Sequence, residues 1–114
     1  MKTVLIDANG KVVNEDRVVK VSKNGTEDVR WVAIENGGPW TITFDKVTGP
    51  STYPLAAGSP FTKTTYSVTR GGKESSTGGP VGGLVGWTYR YQVRKGLNNP
   101  TGTIVDDPDV DVET

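Results

Sequence analysis

Apolar and polar residues alternate along this chain in short runs, broken by Gly, Asn and Pro. Trp40, Ile42 and Phe44 alternate with Thr41 and Thr43. That is the period of a strand with one face in a core and β-branched residues on the other. Trp87, Tyr89, Tyr91 and Val93 form one side of a longer run, with Thr88, Arg90, Gln92 and Arg94 on the other. In residues 29–34 both faces are apolar, which predicts a central strand. Tyr66 and Val68 share a face in residues 64–69, and residues 103–105 and 110–112 supply two short strands near the end.

Turn signals separate these runs. Residues 3–7 and 11–13 flank Ala8-Asn9-Gly10, and residues 17–21 and 28–35 flank Asn24-Gly25. Asn-Gly is a strong hairpin signal, because both residues tolerate positive φ. Residues 46–60 hold Gly49, Pro50, Pro54, Gly58 and Pro60, and proline cannot donate to a central ladder, so this stretch reads as a loop. Residues 71–83, rich in Gly and Ser, read as a flexible hairpin loop. No run has a helical period. Seven to nine short strands separated by turns predict a β-sandwich or barrel.

Composition agrees with that reading. A chain of 114 residues is expected to form one domain over 1–114 with a single modest core. The 15 glycines and 7 prolines supply the turns that an all-β domain needs. Thirteen basic and thirteen acidic residues cancel, so the basic patch that draws nucleic acid is not expected. Asp7 interrupts the apolar opening of residues 3–6, and no run approaches the ~18 apolar residues of a membrane span. The expectation is a soluble protein, cytoplasmic by default, with a mature secreted form fitting equally well.

Two segments carry a family resemblance. Residues 35–45, Glu-Asn-Gly-Gly-Pro-Trp-Thr-Ile-Thr-Phe-Asp, run through a Gly/Pro turn into an apolar strand. Tyr89-Arg90-Tyr91 forms an aromatic strand, and residues 98–105 return into a last strand. Over residues 17–112 the chain resembles the plastocyanin-type cupredoxins. Residues 105–111 also resemble the ending of small bacterial cupredoxin-like proteins with no assigned activity. The resemblance implies an all-β fold: a single Greek-key β-sandwich of seven to nine strands with cupredoxin-like topology. It places Trp40 where the first copper histidine stands, and the cysteine position near Gln92 or Val93.

The chemistry of that family is missing. The chain has no histidine and no cysteine, and its one methionine is Met1. A blue-copper site needs two imidazoles and a thiolate, and structural zinc needs the same residue types. No copper, zinc or other cofactor is therefore expected. A hard cation is the remaining class, and Asp106, Asp107, Asp109, Asp111 and Glu113 are its candidates. Calcium takes about six to eight oxygens, but the EF-hand spacing is absent. The same run reads as a final strand with one solvated, charged face, which would discourage edge-to-edge pairing; this is the stronger reading.

Catalysis finds no constellation either. Without histidine, Ser-His-Asp and Cys-His arrangements are excluded. Glu35, Asp45 and Glu74 lie in separate segments, and residues 71–76 lack the spacing of a phosphate loop. The aromatics Trp31, Trp40, Trp87, Tyr53, Tyr66, Tyr89 and Tyr91 could fill a core or present a sugar-stacking or partner-binding surface. Trp40 at the rim, near Phe61, is the candidate partner-binding pair. Plugging of the former metal position by Trp40 is the favoured role. The expected function is a noncatalytic binding or structural module of unknown ligand, with a protein as the candidate partner. The alternative is a calcium- or carbohydrate-binding module using the acidic ending or the aromatics.

Overall fold

The computed structural model describes residues 1–49, 58–76, 78–81 and 83–114. Pro50, Tyr53 and Pro54 of the expected loop lie outside them. Among the described residues the chain is all-β, with nine strands: β1 (Lys2–Ile6), β2 (Val18–Ser22), β3 (Val29–Ala33), β4 (Trp40–Thr48), β5 (Thr65–Val68), β6 (Lys73–Ser75), β7 (Thr88–Lys95), β8 (Ile104–Asp106) and β9 (Asp109–Glu113). One sheet has the order β1-β3-β6, and the other has the order β2-β9-β7-β4-β5, with β8 also on β7. Two pairs are parallel, β1 with β3 and β2 with β9. The only helical segment among the described residues is a 3-10 turn at Asn14–Asp16.

The core lies between the two sheets. Trp31 of β3 reaches across to Phe44 of β4, Tyr66 of β5 and Tyr91 of β7, with ring centroids 6.0, 5.1 and 5.7 Å away. Aromatics fill this interior because each removes a large apolar area from water, on the order of 200 Å² and ~5 kcal/mol as an upper bound. β3 is central in its sheet, as its two-faced apolar pattern predicts. β4 and β7 are antiparallel neighbours in register: Ile42 faces Val93, Phe44 faces Tyr91, and Trp40 faces Lys95. The start of β4 and the end of β7 thus lie at the same end of the molecule.

Several local expectations are corrected. The Asn9-Gly10 turn forms, but residues 11–13 supply only a single bridge, Ile6 to Val12, and no second hairpin strand. The 3-10 turn then redirects the chain, and Asp16 accepts the Leu5 N–H at 2.9 Å. β2 therefore joins the opposite sheet. The Asn24-Gly25 turn likewise joins β2 to β3 across sheets and makes no hairpin. β4 continues to Thr48 through a bulge between Phe44 and Lys46, so the expected loop starts later than residue 46. Within residues 71–83, Lys73–Ser75 form β6 against β3, where an irregular hairpin loop was expected. β9 is not an edge: it sits between β2 and β7. Its register sets Lys20 and Thr88 opposite Asp111, Arg90 opposite Asp109 and Ser22 opposite Glu113, so each alternating carboxylate has a polar or cationic neighbour.

Candidate functional site

The turn before β4 determines where Trp40 lies. Ile34-Glu35-Asn36-Gly37 closes through Gly37 N–H to the Ile34 carbonyl at 2.9 Å, with φ of 57° at Glu35 and 53° at Asn36. Gly38, at φ 92°, then leads through a cis peptide to Pro39. Two glycines make room for the indole. A side-chain carbon at Gly38 would stand 3.2 Å from Trp40 Cδ1 and Nε1. One at Gly10 would stand 3.0 Å from Trp40 Cζ3 and 2.5 Å from Val105 Cγ2. Trp40 is consequently only 6 % exposed, and its Nε1 is buried without a hydrogen-bond acceptor.

Phe61 is also interior, at 5 % exposure, but in a different place. It packs edge-on against Trp31 and Phe44, with centroids 6.2 and 5.8 Å away. The two candidate residues are therefore not brought together as one surface. Neither ring presents a surface of its own, since both are buried. The other described aromatics follow the same rule: Trp31, Trp87, Tyr66, Tyr89 and Tyr91 are all buried, so they offer no stacking platform.

Three connections, β3–β4, β5–β6 and β7–β8, are tied together beside the turn that leads into Trp40. Gly96 N–H donates to the Pro39 carbonyl at 3.1 Å, and Gly71 N–H to that of Gly37 at 2.9 Å. Arg70 donates to the Asn36 carbonyl at 3.2 Å. Ser67 and Asn98 exchange two hydrogen bonds, of 2.6 and 3.2 Å. Leu97, 45 % exposed, projects from this tied surface.

Gln92 and Val93 occupy the stretch expected to hold the cysteine position. Val93 is fully buried in the core. The Gln92 amide accepts from Thr43 Oγ1 and donates to Asp45, both at 2.7 Å. Arg94 Nε donates to the same threonine at 3.0 Å. This ladder satisfies Thr43 and Gln92, which are buried on the second face of β4 and β7; Thr41, buried on the same face, donates instead to the Gly96 carbonyl and accepts from Asn99 N–H. Sequence alternation could not reveal it, since nothing local marks a polar residue as covered. Among the described residues, no three His, Cys, Asp or Glu lie close enough to hold a metal ion.

The acidic ending is engaged in other contacts. Asp106, 7 % exposed, accepts two hydrogen bonds from the Arg17 guanidinium at 2.6 and 2.9 Å. It accepts two more from the N–H groups of Val12 and Asp107, at 2.8 and 2.9 Å. Burial pushes the Asp106 carboxyl up, but these donors outweigh it and hold the group below its ordinary value. The hydrogen bond to Asp106 raises the Arg17 pKa correspondingly. Asp109 pairs with Arg90 at 3.1 Å, and Asp111 accepts from Thr88 at 2.7 Å. Beside the Arg17 pair runs an open groove of about 630 Å³, lined by Asp7, Lys11, Val12, Val13, Asn14, Glu15 and Arg17. Its mixed charges select no single ligand sign.

Inside the core, Trp31 Nε1 and Tyr91 Oη are buried without a hydrogen bond of acceptable geometry. Burial raises the Tyr91 pKa, and the nearby Trp31 indole offsets only part of that. A neutral phenol at physiological pH follows.

No family model, no curated protein and no solved structure matches this chain. Among the described residues, no helix is long and apolar enough to cross a membrane.

Proposed function

We propose that the chain is a noncatalytic binding or structural module on a copper-free, cupredoxin-like Greek-key scaffold, and that it meets a protein partner through the loops around Trp40. The observation that carries this reading is the packing of Trp40 between Gly10 and Gly38. The indole fills the interior at the position where the resemblance puts the first copper ligand. The register of β4 with β7 supports the resemblance, because it brings both expected ligand segments to one end. With that interior filled, recognition falls to the surface. The loop-to-loop hydrogen bonds favour it, since a pre-ordered surface loses less conformational entropy on binding.

Affinity capture from the source organism tests the reading, with wild-type protein run beside Leu97→Asp. Leu97 is exposed, so the variant retains its melting temperature and loses the captured partner. Capture unaffected by Leu97→Asp and by a second exposed substitution, Asn98→Asp, overturns the assignment to these loops. Copper in either oxidation state gives no intense visible charge-transfer band, because no thiolate is present to donate into the metal. Stoichiometric blue copper would overturn the scaffold reading as well.

A further inference from the structure

The chain carries three Asn-Gly pairs, at Asn9-Gly10, Asn24-Gly25 and Asn36-Gly37. Asn-Gly is chemically labile. The glycine amide nitrogen attacks the asparagine Cγ, the new C–N bond closes a succinimide, and the Cγ–Nδ2 bond breaks. Ammonia leaves, taking up the proton lost by the amide. Water then adds to either imide carbonyl, giving aspartate or isoaspartate. The nucleophile in every case is the glycine N–H, so the partner of that N–H decides which pair reacts.

The three turns differ at this atom. Gly10 N–H donates to the Asp7 carbonyl at 3.0 Å and Gly37 N–H to the Ile34 carbonyl at 2.9 Å. In each case that bond is the one closing the turn, and both glycines are buried. Freeing either nitrogen means opening its turn. Gly25 stands one place earlier in its turn, which is closed by Thr26 N–H to the Lys23 carbonyl at 3.1 Å. Its own N–H donates only to the Ser22 hydroxyl, at 2.9 Å. Asn24 and Gly25 are both exposed. A side-chain rotation at Ser22 frees this nitrogen while the turn stays closed.

We propose that Asn24 is the site of spontaneous deamidation in the folded protein, and that Asn9 and Asn36 are protected by the fold. The consequence falls on the joint between β2 and β9. Ser22 Oγ donates to the Thr114 carbonyl at 2.8 Å, and Lys23 N–H donates to that of Glu113 at 2.8 Å. Isoaspartate lengthens the turn beside this joint, and either product adds a negative charge between Ser22 and Glu27.

The test is peptide mapping by mass spectrometry after prolonged incubation in mildly alkaline buffer, with isoaspartate counted separately. The Asn24 peptide is expected to gain the amide-to-acid mass roughly tenfold faster than those of Asn9 and Asn36, the factor that about one net backbone hydrogen bond represents. In concentrated urea the three rates converge, because the turns no longer discriminate. Ser22→Ala accelerates the reaction at Asn24, and Gly25→Ala suppresses it. Equal or faster reaction at Asn9 or Asn36 in the folded protein overturns the proposal, as does an Asn24 that stays intact while the urea control reacts.

Discussion

Asp106 concentrates four donors on one carboxylate, so its loss is costly. Replacing it by alanine removes the acceptor of four donors at once: two from Arg17, and the N–H groups of Val12 and Asp107. Val12 is buried, so leaving its N–H without a partner costs about 1–3 kcal/mol. The ion pair contributes less than a fully buried one, because the Arg17 side chain is 40 % exposed and water takes over part of its solvation; we assign it ~1 kcal/mol. The sum, about 3 kcal/mol, corresponds to a fall in Tm of roughly 10–15 °C for a domain of this size. Asp106→Asn keeps the shape and an oxygen acceptor and loses the charge, so its cost is smaller. Urea unfolding as a function of pH gives the decisive readout. The Asp106 pKa is depressed in the folded state, so its stabilisation is full above the ordinary carboxylate value near ~4. It is lost as pH falls through the lower, folded value. The gap between wild type and Asp106→Asn should therefore be constant near neutrality and shrink in acid. A gap that widens on acidification, or an alanine variant within ~0.5 kcal/mol of wild type, would refute the argument.

Glu35, exposed at φ 57°, occupies a left-handed position that L-residues other than Asn and Asp resist, so Glu35→Gly or Glu35→Asn should raise the urea midpoint by about 0.5–1 kcal/mol equivalent. Phe44→Ala and Trp40→Ala should each cost roughly 3–5 kcal/mol, since both rings are interior, and a Trp40 cost well below that range would place the ring at the surface. All three tryptophans are at most 9 % exposed, so iodide should quench native fluorescence only weakly and the unfolded chain strongly. Changing Asp109, Asp111 and Glu113 together to their amides should shift stability by less than ~1 kcal/mol, because the Arg90 side chain of the Asp109 pair is half exposed; a calcium-dependent rise in Tm that this variant abolishes would support the ion-binding reading.

Much of the fold was legible because two-residue periodicity reports directly on burial. The runs at Trp40, at Tyr89 and at Val110 all became strands, and the two-faced apolar run at Val29 became a central one. Failures came where pairing depends on distant partners. Lys73-Glu74-Ser75 has no apolar rhythm, and β6 exists because β3 presents an edge to it. Asn-Gly turns were located correctly, yet a local turn signal does not say which sheet the next strand joins. The Arg17–Asp106 pair spans 89 residues and leaves no local trace. Trp40 stood out as unusual from the resemblance alone. Its depth depends on Gly10 and Gly38, whose closeness to it only the folded chain reveals.

Among the described residues β2 has a single partner in its sheet, and that partner, β9, follows it by about 90 residues. During synthesis Val18–Ser22 emerge early, with an apolar face formed by Val19 and Val21, and wait for Asp109–Glu113. Until then their N–H and C=O groups form an open edge of the kind that recruits other chains. The topology is thus one of high contact order, in which Val18–Ser22 must find Asp109–Glu113 late. A chain cut before Asp109 would keep most of the core residues and still expose that edge, so aggregation of truncated products, more than loss of core packing, is the failure to which this architecture is most open.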